Sequence, residues 1–406
     1  MKTLADAPFL DIFSDDFNAD PAAVVDQLRK ESWLARTMIG GIVLGREQVQ
    51  GLIADRRLRS SLLEFLHIQG VTDGGIHEAV AHSLLAVDGP DHTRLRKLVN
   101  RAFTPRAVDR HREQMRTVLS ALLEPVVPAG RCEFMAAIAD HYPIEVMCHV
   151  LGVPAEDHER FARWNRSITW VLSFQLGEHR DEAEDAMRHM QDYVAELVDE
   201  RRRHPADDLV TALAQAEEEG DRLSDQELTT LIASLLFAGY DTTRNQLGLA
   251  MWLFASQPEQ WERLASDPGV AGSAVEEVMR HRGAVGMAPR LVAEDLDFDG
   301  YHLTAGTMLT LSTASANHDE SAYANPGELD IATPREPHLT FGGGPHYCLG
   351  ASLARAEMQE ALPVLARQMP GLVLDGEPTW RPPMGIVGPE TLPIRFEVSG
   401  SVRPGA

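Results

Sequence analysis

Apolar residues recur at helical spacing over most of the chain, and the pattern changes to alternation only toward the two ends. The first change is WLARTMIGGIVLG, Trp33 to Gly45, where two short apolar segments flank Gly40-Gly41 and predict a hairpin turning at those glycines. Helix dominates from there to about residue 282. Alternation returns in LVAEDLDFDGYHLTAGTMLTLSTASAN, Leu291 to Asn317, with turns at Asp299-Gly300 and Ala305-Gly306. No internal repeat or low-complexity run divides the chain. Strands split between distant segments predict one domain over 1–406: a mainly α body with a smaller β-rich region (α+β) assembled from about 33–45, 284–335 and C-terminal strands.

The longest helical stretch starts at Ser224, which forms a capping box with Glu227, and runs to the Gln257-Pro258 stop. At ~1.5 Å per residue, about 32 residues span roughly 48 Å, enough to cross the whole protein. Its centre reads Ala238-Gly239-Tyr240-Asp241-Thr242-Thr243. A glycine in a helix interior costs about 1 kcal/mol relative to alanine. Two readings fit: a ligand or water approaching the backbone beside an acid and two hydroxyls, or a packing groove with a polar spot. The run Asp241, Thr242, Thr243, Arg244, Asn245 interrupts the apolar stretch and argues against a membrane span.

With 406 residues, 44% of them hydrophobic, the chain can bury a large core. Its formal charge of −24 repels phosphate and argues strongly against nucleic acid or an anionic membrane as the main partner. The start, MKTLADAPFLDIFSDD, shows no sustained apolar region, so neither secretion nor a membrane anchor is expected, and a cytoplasmic protein is. Three cysteines with no C-x-x-C pair fit a reducing compartment. Cys132 and Cys148 lie in apolar, helical-looking text and read as core residues.

Glu277 and Arg280 stand three apart and can meet on one helix face. Glu113/Arg116, Glu200/Arg203 and Glu219/Arg222 share that spacing and read as solvated pairs worth little. Glu277 and Arg280 differ in their apolar neighbours Val275, Val278 and Met279. Between Asp91 and Arg112, seven basic residues face two acids, a local +5 in an acidic chain. A solvated face, an anionic ligand held by His92 and Arg96, and a docking surface for an acidic partner all fit this contrast.

The last constellation is FGGGPHYCLG, Phe341 to Gly350, a single cysteine among four glycines. Zinc would need more ligands than His346 and Cys348 supply at a recognisable spacing. A nucleophile would need a base that no His or Asn declares. A thiolate ligating haem iron explains more, because glycines let successive backbone N–H groups point at the sulfur and Phe341 can shield it.

With these residues in order, the chain resembles the cytochromes P450, haem-thiolate monooxygenases of the soluble bacterial type, over nearly its whole length. Phe341, Gly342, Gly344, His346, Cys348 and Gly350 match the family's haem-binding loop, and A-G-x-D-T-T, E-x-x-R and H-T-R-L-R occur in the family's order. The resemblance implies that fold, with the long central helix crossing a haem b (iron protoporphyrin IX) whose iron takes Cys348 as proximal ligand. It implies Asp241 and Thr242 as the distal acid and alcohol that deliver protons, and Glu277 with Arg280 as a structural pair beneath the haem. His92, Arg96, Arg290 and His346 are implied as propionate partners. Where the family often has Arg-Phe-Asp, a third member of the Glu-Arg network, this chain has Glu328-Leu329-Asp330; either that member is missing or Arg335 replaces it.

The implied activity is insertion of one oxygen atom from O2 into a hydrophobic small molecule of terpenoid, steroid, polyketide or aromatic skeleton. Leu235, Ala238, Val285, Met287, Ile386 and Val387 are candidate pocket linings, each equally readable as core. No reductase is fused to the chain, so electrons are expected from a separate ferredoxin and ferredoxin reductase, docking near Arg94, Lys97, Arg101 and Arg106. A peroxide-dependent relative or a non-catalytic binding or recruitment module of the same fold are the alternatives; Asp241-Thr242 argues against the first, and Cys348 with Thr242 against the second.

Overall fold

The computed structural model describes residues 1–218, 221–381 and 385–398. Glu219, one member of the three surface pairs, lies outside the described residues. The protein is mainly helical. Six helices position the site: α1 (Gly89–Asn100), α2 (Tyr142–Leu151), α3 (Leu176–Arg203), α4 (Asp225–Ala255), α5 (Ala271–His281) and α6 (Ala351–Gln368). Four strands matter most: β1 (Leu34–Thr37), β2 (Gly40–Val43), β3 (Met287–Val292) and β4 (Met308–Ser312). A third segment, Leu58–Ser60, completes a five-stranded sheet in which the distant β4 lies between β2 and β3. β4 pairs parallel with β2 and antiparallel with β3, which joins residues near 40 to residues near 300.

The hairpin of β1 and β2 is present, but its turn is Met38-Ile39, because Thr37 pairs with Gly40. Gly40 belongs to the second strand. Its φ of 148° and the crowding of any added Cβ against the Met308 carbonyl explain the glycine. Asp299-Gly300 and Ala305-Gly306 do form turns, joining Leu296–Phe298 to Tyr301–Leu303 and the latter to β4. Cys132 sits in a short strand, Arg131–Glu133, and not in helix; Cys148 is buried in α2.

Helix α4 has 31 residues and the expected cap: the Ser224 side chain accepts from the Glu227 backbone while the Glu227 side chain accepts from the Ser224 backbone. It runs without interruption, packed by α2 and α3, so its middle is buried on nearly every side. Gly239 serves this packing. A Cβ there would stand 2.6 Å from Met147 Cε of α2. Gly248 likewise makes room for Met135 and Pro389. No helix among the described residues is long and apolar enough to cross a membrane.

Candidate haem-thiolate site

The Phe341–Gly350 loop folds back on itself: the Cys348 amide donates to the Phe341 carbonyl at 2.9 Å. Gly342 and Gly344 adopt left-handed φ values of 72° and 61°, and a Cβ on Gly344 would stand 2.7 Å from the Ile53 carbonyl oxygen. Cys348 thereby arrives just before α6. Cys348 keeps an exposed face, yet the protein packed around it pushes its thiol above the ordinary value, while the Gly350 and Ala351 amides and the Arg96 and Arg355 guanidinium groups pull the other way. This donor set suits a sulfur that carries negative charge. The Phe341 ring lies under the Arg355 guanidinium, 4.5 Å from its centroid. Arg355 is in turn clamped by Glu276 at 2.6 and 2.8 Å, which with burial opposing holds that carboxylate down to about 2.

Four residues named as anion partners gather around this loop, though not as equals. His346 Nε2 lies 2.7 Å from Asp88 Oδ1, and its ring lies against His92 at 4.4 Å between centroids. His92 is 3% exposed; burial, then His346 and Arg96, push it down to about 4, so it is neutral. Arg96 donates to the Tyr347 carbonyl at 2.6 Å and to Asn100. Arg290, within β3, is 7% exposed, and its side chain's one hydrogen bond among the described residues goes to the Pro289 carbonyl. Neither arginine has a carboxylate within ion-pair distance among the described residues, and burial lowers both. Two partly or wholly buried guanidinium groups without anions fit a ligand carrying carboxylates. With the cysteine, this chemistry fits a haem and its propionates.

The structural pair closes into a network. Arg280 makes a bidentate bond to Glu277, at 2.7 and 2.8 Å, and both side chains are buried. Its remaining donors reach the carbonyls of Asn317, Pro326 and Glu328. Arg335 Nε stands 3.2 Å from Glu277 Oε1, so Arg335 is the third member of the network. Asp330 contributes its backbone amide to Glu277 instead of a side chain.

On α4, Asp241 is fully buried and paired with Arg381 at 2.7 Å, and the Asn245 amide donates to its other oxygen at 3.1 Å. Thr242 donates to the Ala238 carbonyl at 2.8 Å. Arg381 and Asp88 went unnoticed in the sequence; they stand 140 and 258 residues from their partners, and no local spacing signals such pairs. The next residue, Thr243, faces Glu357 of α6, a buried carboxyl that burial raises to about 8.

The six candidate linings sort differently. Val285 and Ile386 bridge each other and pack with Leu249, Ala284 and Leu172. Leu235 belongs to the main core. None of the six, Ala238, Met287 and Val387 included, lines the apolar cavity, whose wall from α4 is Thr230, Ala233, Ser234 and Phe237. In the basic segment, Lys97, Arg101 and Arg106 are exposed, whereas Arg94 is half-buried and ion-paired with Glu227 at the start of α4.

A family model described as Cytochrome P450 matches residues 77–267 and 270–368. The chain is 36% identical over 397 residues to luteothin monooxygenase of Streptomyces thioluteus, covering 97% of each. It is 38% identical over 323 residues to mycinamicin IV hydroxylase/epoxidase of Micromonospora griseorubida, covering 78% of this chain and 80% of that one. Among solved structures, P450BioI in complex with an acyl carrier protein carrying hexadec-9Z-enoic acid superposes with a TM-score of 0.88 at 30% identity, covering 94% and 99%.

Proposed function

This chain belongs to the cytochrome P450 family and is a monooxygenase, and we propose that it inserts oxygen into a largely apolar natural product of the polyketide type, using haem b held by Cys348. The observation that carries the reading is the Cys348 sulfur just before α6, where the Gly350 and Ala351 amides and the Arg96 and Arg355 guanidinium groups favour its charged form. The names of the relatives support the substrate class: one acts on luteothin, another on mycinamicin IV.

When bound, the haem supplies the iron that activates O2. The chain's own residues do the rest. Cys348 would hold the iron through its sulfur and supply it with electron density, carried on the loop that starts at Phe341. Arg96 and Arg290 would neutralise the propionates, and His346, engaged with Asp88, and neutral His92 would complete their hydrogen bonding. One oxygen atom enters the substrate C–H bond; the other leaves as water with two electrons and two protons. Thr242 would hand on those protons, because its hydroxyl can exchange the Ala238 carbonyl for a water. Asp241 resupplies it. A carboxylate locked to a guanidinium is a poor proton carrier, so Arg381 must loosen during turnover and acts as the latch on that supply.

The electrons come from a separate ferredoxin and its reductase, meeting the exposed Lys97, Arg101 and Arg106. Arg94, committed to Glu227, contributes less. The protein works in the cytoplasm. The test is the spectrum of the reduced protein with carbon monoxide: a thiolate-type red-shifted Soret band is expected, and Cys348→His should bind haem yet abolish it. An unchanged band in that variant would sink the assignment.

A further inference from the structure

A small cavity of about 40 Å³, room for a terminal group and not for a whole substrate, lies between the segment 62–85, the turn at 168–172, and helices α3 and α4. Its wall is aliphatic and aromatic except at four places: Ser83, Gln191 of α3, and Thr230 and Ser234 of α4. None of the lining residues is charged. Thr230 is only 5% exposed, yet its hydroxyl makes no hydrogen bond to another described residue, and neither do the side chains of Gln191 and Ser234. Ser83 donates to the Val80 carbonyl at 2.7 Å, which leaves its oxygen free to accept. Buried polar groups are ordinarily paired, and a nine-tenths-buried hydroxyl without a protein partner facing a cavity points to a partner inside it.

The position of these groups along α4 carries the argument further. Thr230 and Ser234 lie one turn apart on the helix that bears Thr242, twelve and eight residues before it. At ~1.5 Å per residue they stand roughly 18 and 12 Å from Thr242 along the axis. An oxygen atom of the substrate held here is therefore far from the carbon that reacts beside Thr242. The absence of any cation in the wall matters equally, since a carboxylate brought into an apolar cavity unpaired would be strongly disfavoured.

Resting on the monooxygenase reading above, we infer that Gln191, Thr230 and Ser234 select a neutral oxygen-bearing group, a ketone, hydroxyl or lactone, at the end of an apolar substrate remote from the oxidised carbon. Free fatty acids are excluded by the same wall. Ser83 offers an acceptor and Gln191 both a donor and an acceptor, so hydroxyls and carbonyls are both accommodated.

Three compounds of matched length test this on the haem-loaded protein: 2-pentadecanone, pentadecane and pentadecanoate. Equilibrium dialysis gives their affinities without reference to turnover, and mass spectrometry locates the oxidised carbon. The ketone is expected to bind about tenfold tighter than the hydrocarbon, as one or two net hydrogen bonds allow, and tighter than the acid. Oxidation is expected near the chain end distant from the carbonyl. Thr230→Val, which keeps shape, and Gln191→Leu should each bring the ketone-to-hydrocarbon ratio toward one, with a normal reduced carbon monoxide spectrum showing that the variants are folded. Equal affinity for all three, tightest binding of pentadecanoate, or oxidation beside the carbonyl would overturn the inference. A missing thiolate-type spectrum in the parent protein would instead count against the haem-thiolate reading, so the two failures are separable.

Discussion

Asp241, at the centre of the longest helix, is held 2.7 Å from Arg381, a residue 140 positions later in the chain. The acid is fully buried and the arginine nearly so. Removing one member of such a pair leaves a buried charge uncompensated, which costs about 3–5 kcal/mol, whereas removing both charges is much better tolerated. Arg381→Gln should therefore lower the denaturation midpoint strongly, and adding Asp241→Asn should recover most of the loss. Urea unfolding of the two single variants and the double variant checks this. Additive losses would mean that the two side chains do not depend on each other.

Arg335 takes the place of the expected third member beside Glu277 and Arg280 and also donates to the Ala324 carbonyl at 2.7 Å. Its side chain keeps some solvent access, so its loss should be moderate, about 1–3 kcal/mol. Arg280→Ala should be far worse, because it strands the buried Glu277 carboxylate and three carbonyls. The expected order in haem-loaded yield and thermal midpoint is parent, Arg335→Ala, then Arg280→Ala. An Arg335→Ala protein indistinguishable from the parent would remove Arg335 from the network.

What the sequence made legible was local. The capping box at Ser224 and Glu227, the proline stop and the apolar text between them define the long helix because helix signals lie within a turn of one another. The glycines of the cysteine loop were legible for the same reason. Pairings across the chain were not: Asp241 with Arg381, His346 with Asp88 and Glu277 with Arg335 arise from the packing of distant segments. Gly239 shows the ambiguity in a single residue. Its small size suggested room for a ligand, and Met147 of the neighbouring helix uses that room. The cavity wall was missed because α3 contributes to it, and nothing local in α3 says which face meets α4.

Glu357 gives a pH signature. Burial raises its carboxyl to about 8 against the opposing pull of Thr243, and one of its oxygens has no partner. Because the folded value lies above the unfolded one, its contribution is fully present below about 4.5 and is lost as the pH climbs to about 8. Each unit of elevation corresponds to about 1.4 kcal/mol. Glu357→Gln, neutral at every pH, should thus be more stable than the parent at pH 8 by a few kcal/mol and similar to it at pH 4.5. Unfolding midpoints across that range measure the difference, and parallel profiles for the two proteins would contradict it.

Thr242 decides whether reducing power reaches the substrate. Its hydroxyl is bonded to the Ala238 carbonyl one turn back, a contact that costs little to exchange, and Asp241 stands beside it in the sequence with its charge latched by Arg381. Removing the hydroxyl takes away the group that directs protons while leaving Cys348, Arg96 and Arg290 in place. Thr242→Ala is expected to keep near-normal haem content and substrate binding, to oxidise reduced cofactor at a comparable rate, and to divert most of it to hydrogen peroxide. Asp241→Asn should behave differently, slowing oxygen consumption itself because the proton supply is cut upstream. The deciding quantity is product formed per cofactor oxidised, with peroxide assayed in parallel. The substrate must lack a hydroxyl able to stand in for threonine near the reacting carbon. If Thr242→Ala remains fully coupled under those conditions, its bond to Ala238 is only a feature of helix packing, and proton delivery runs by another route.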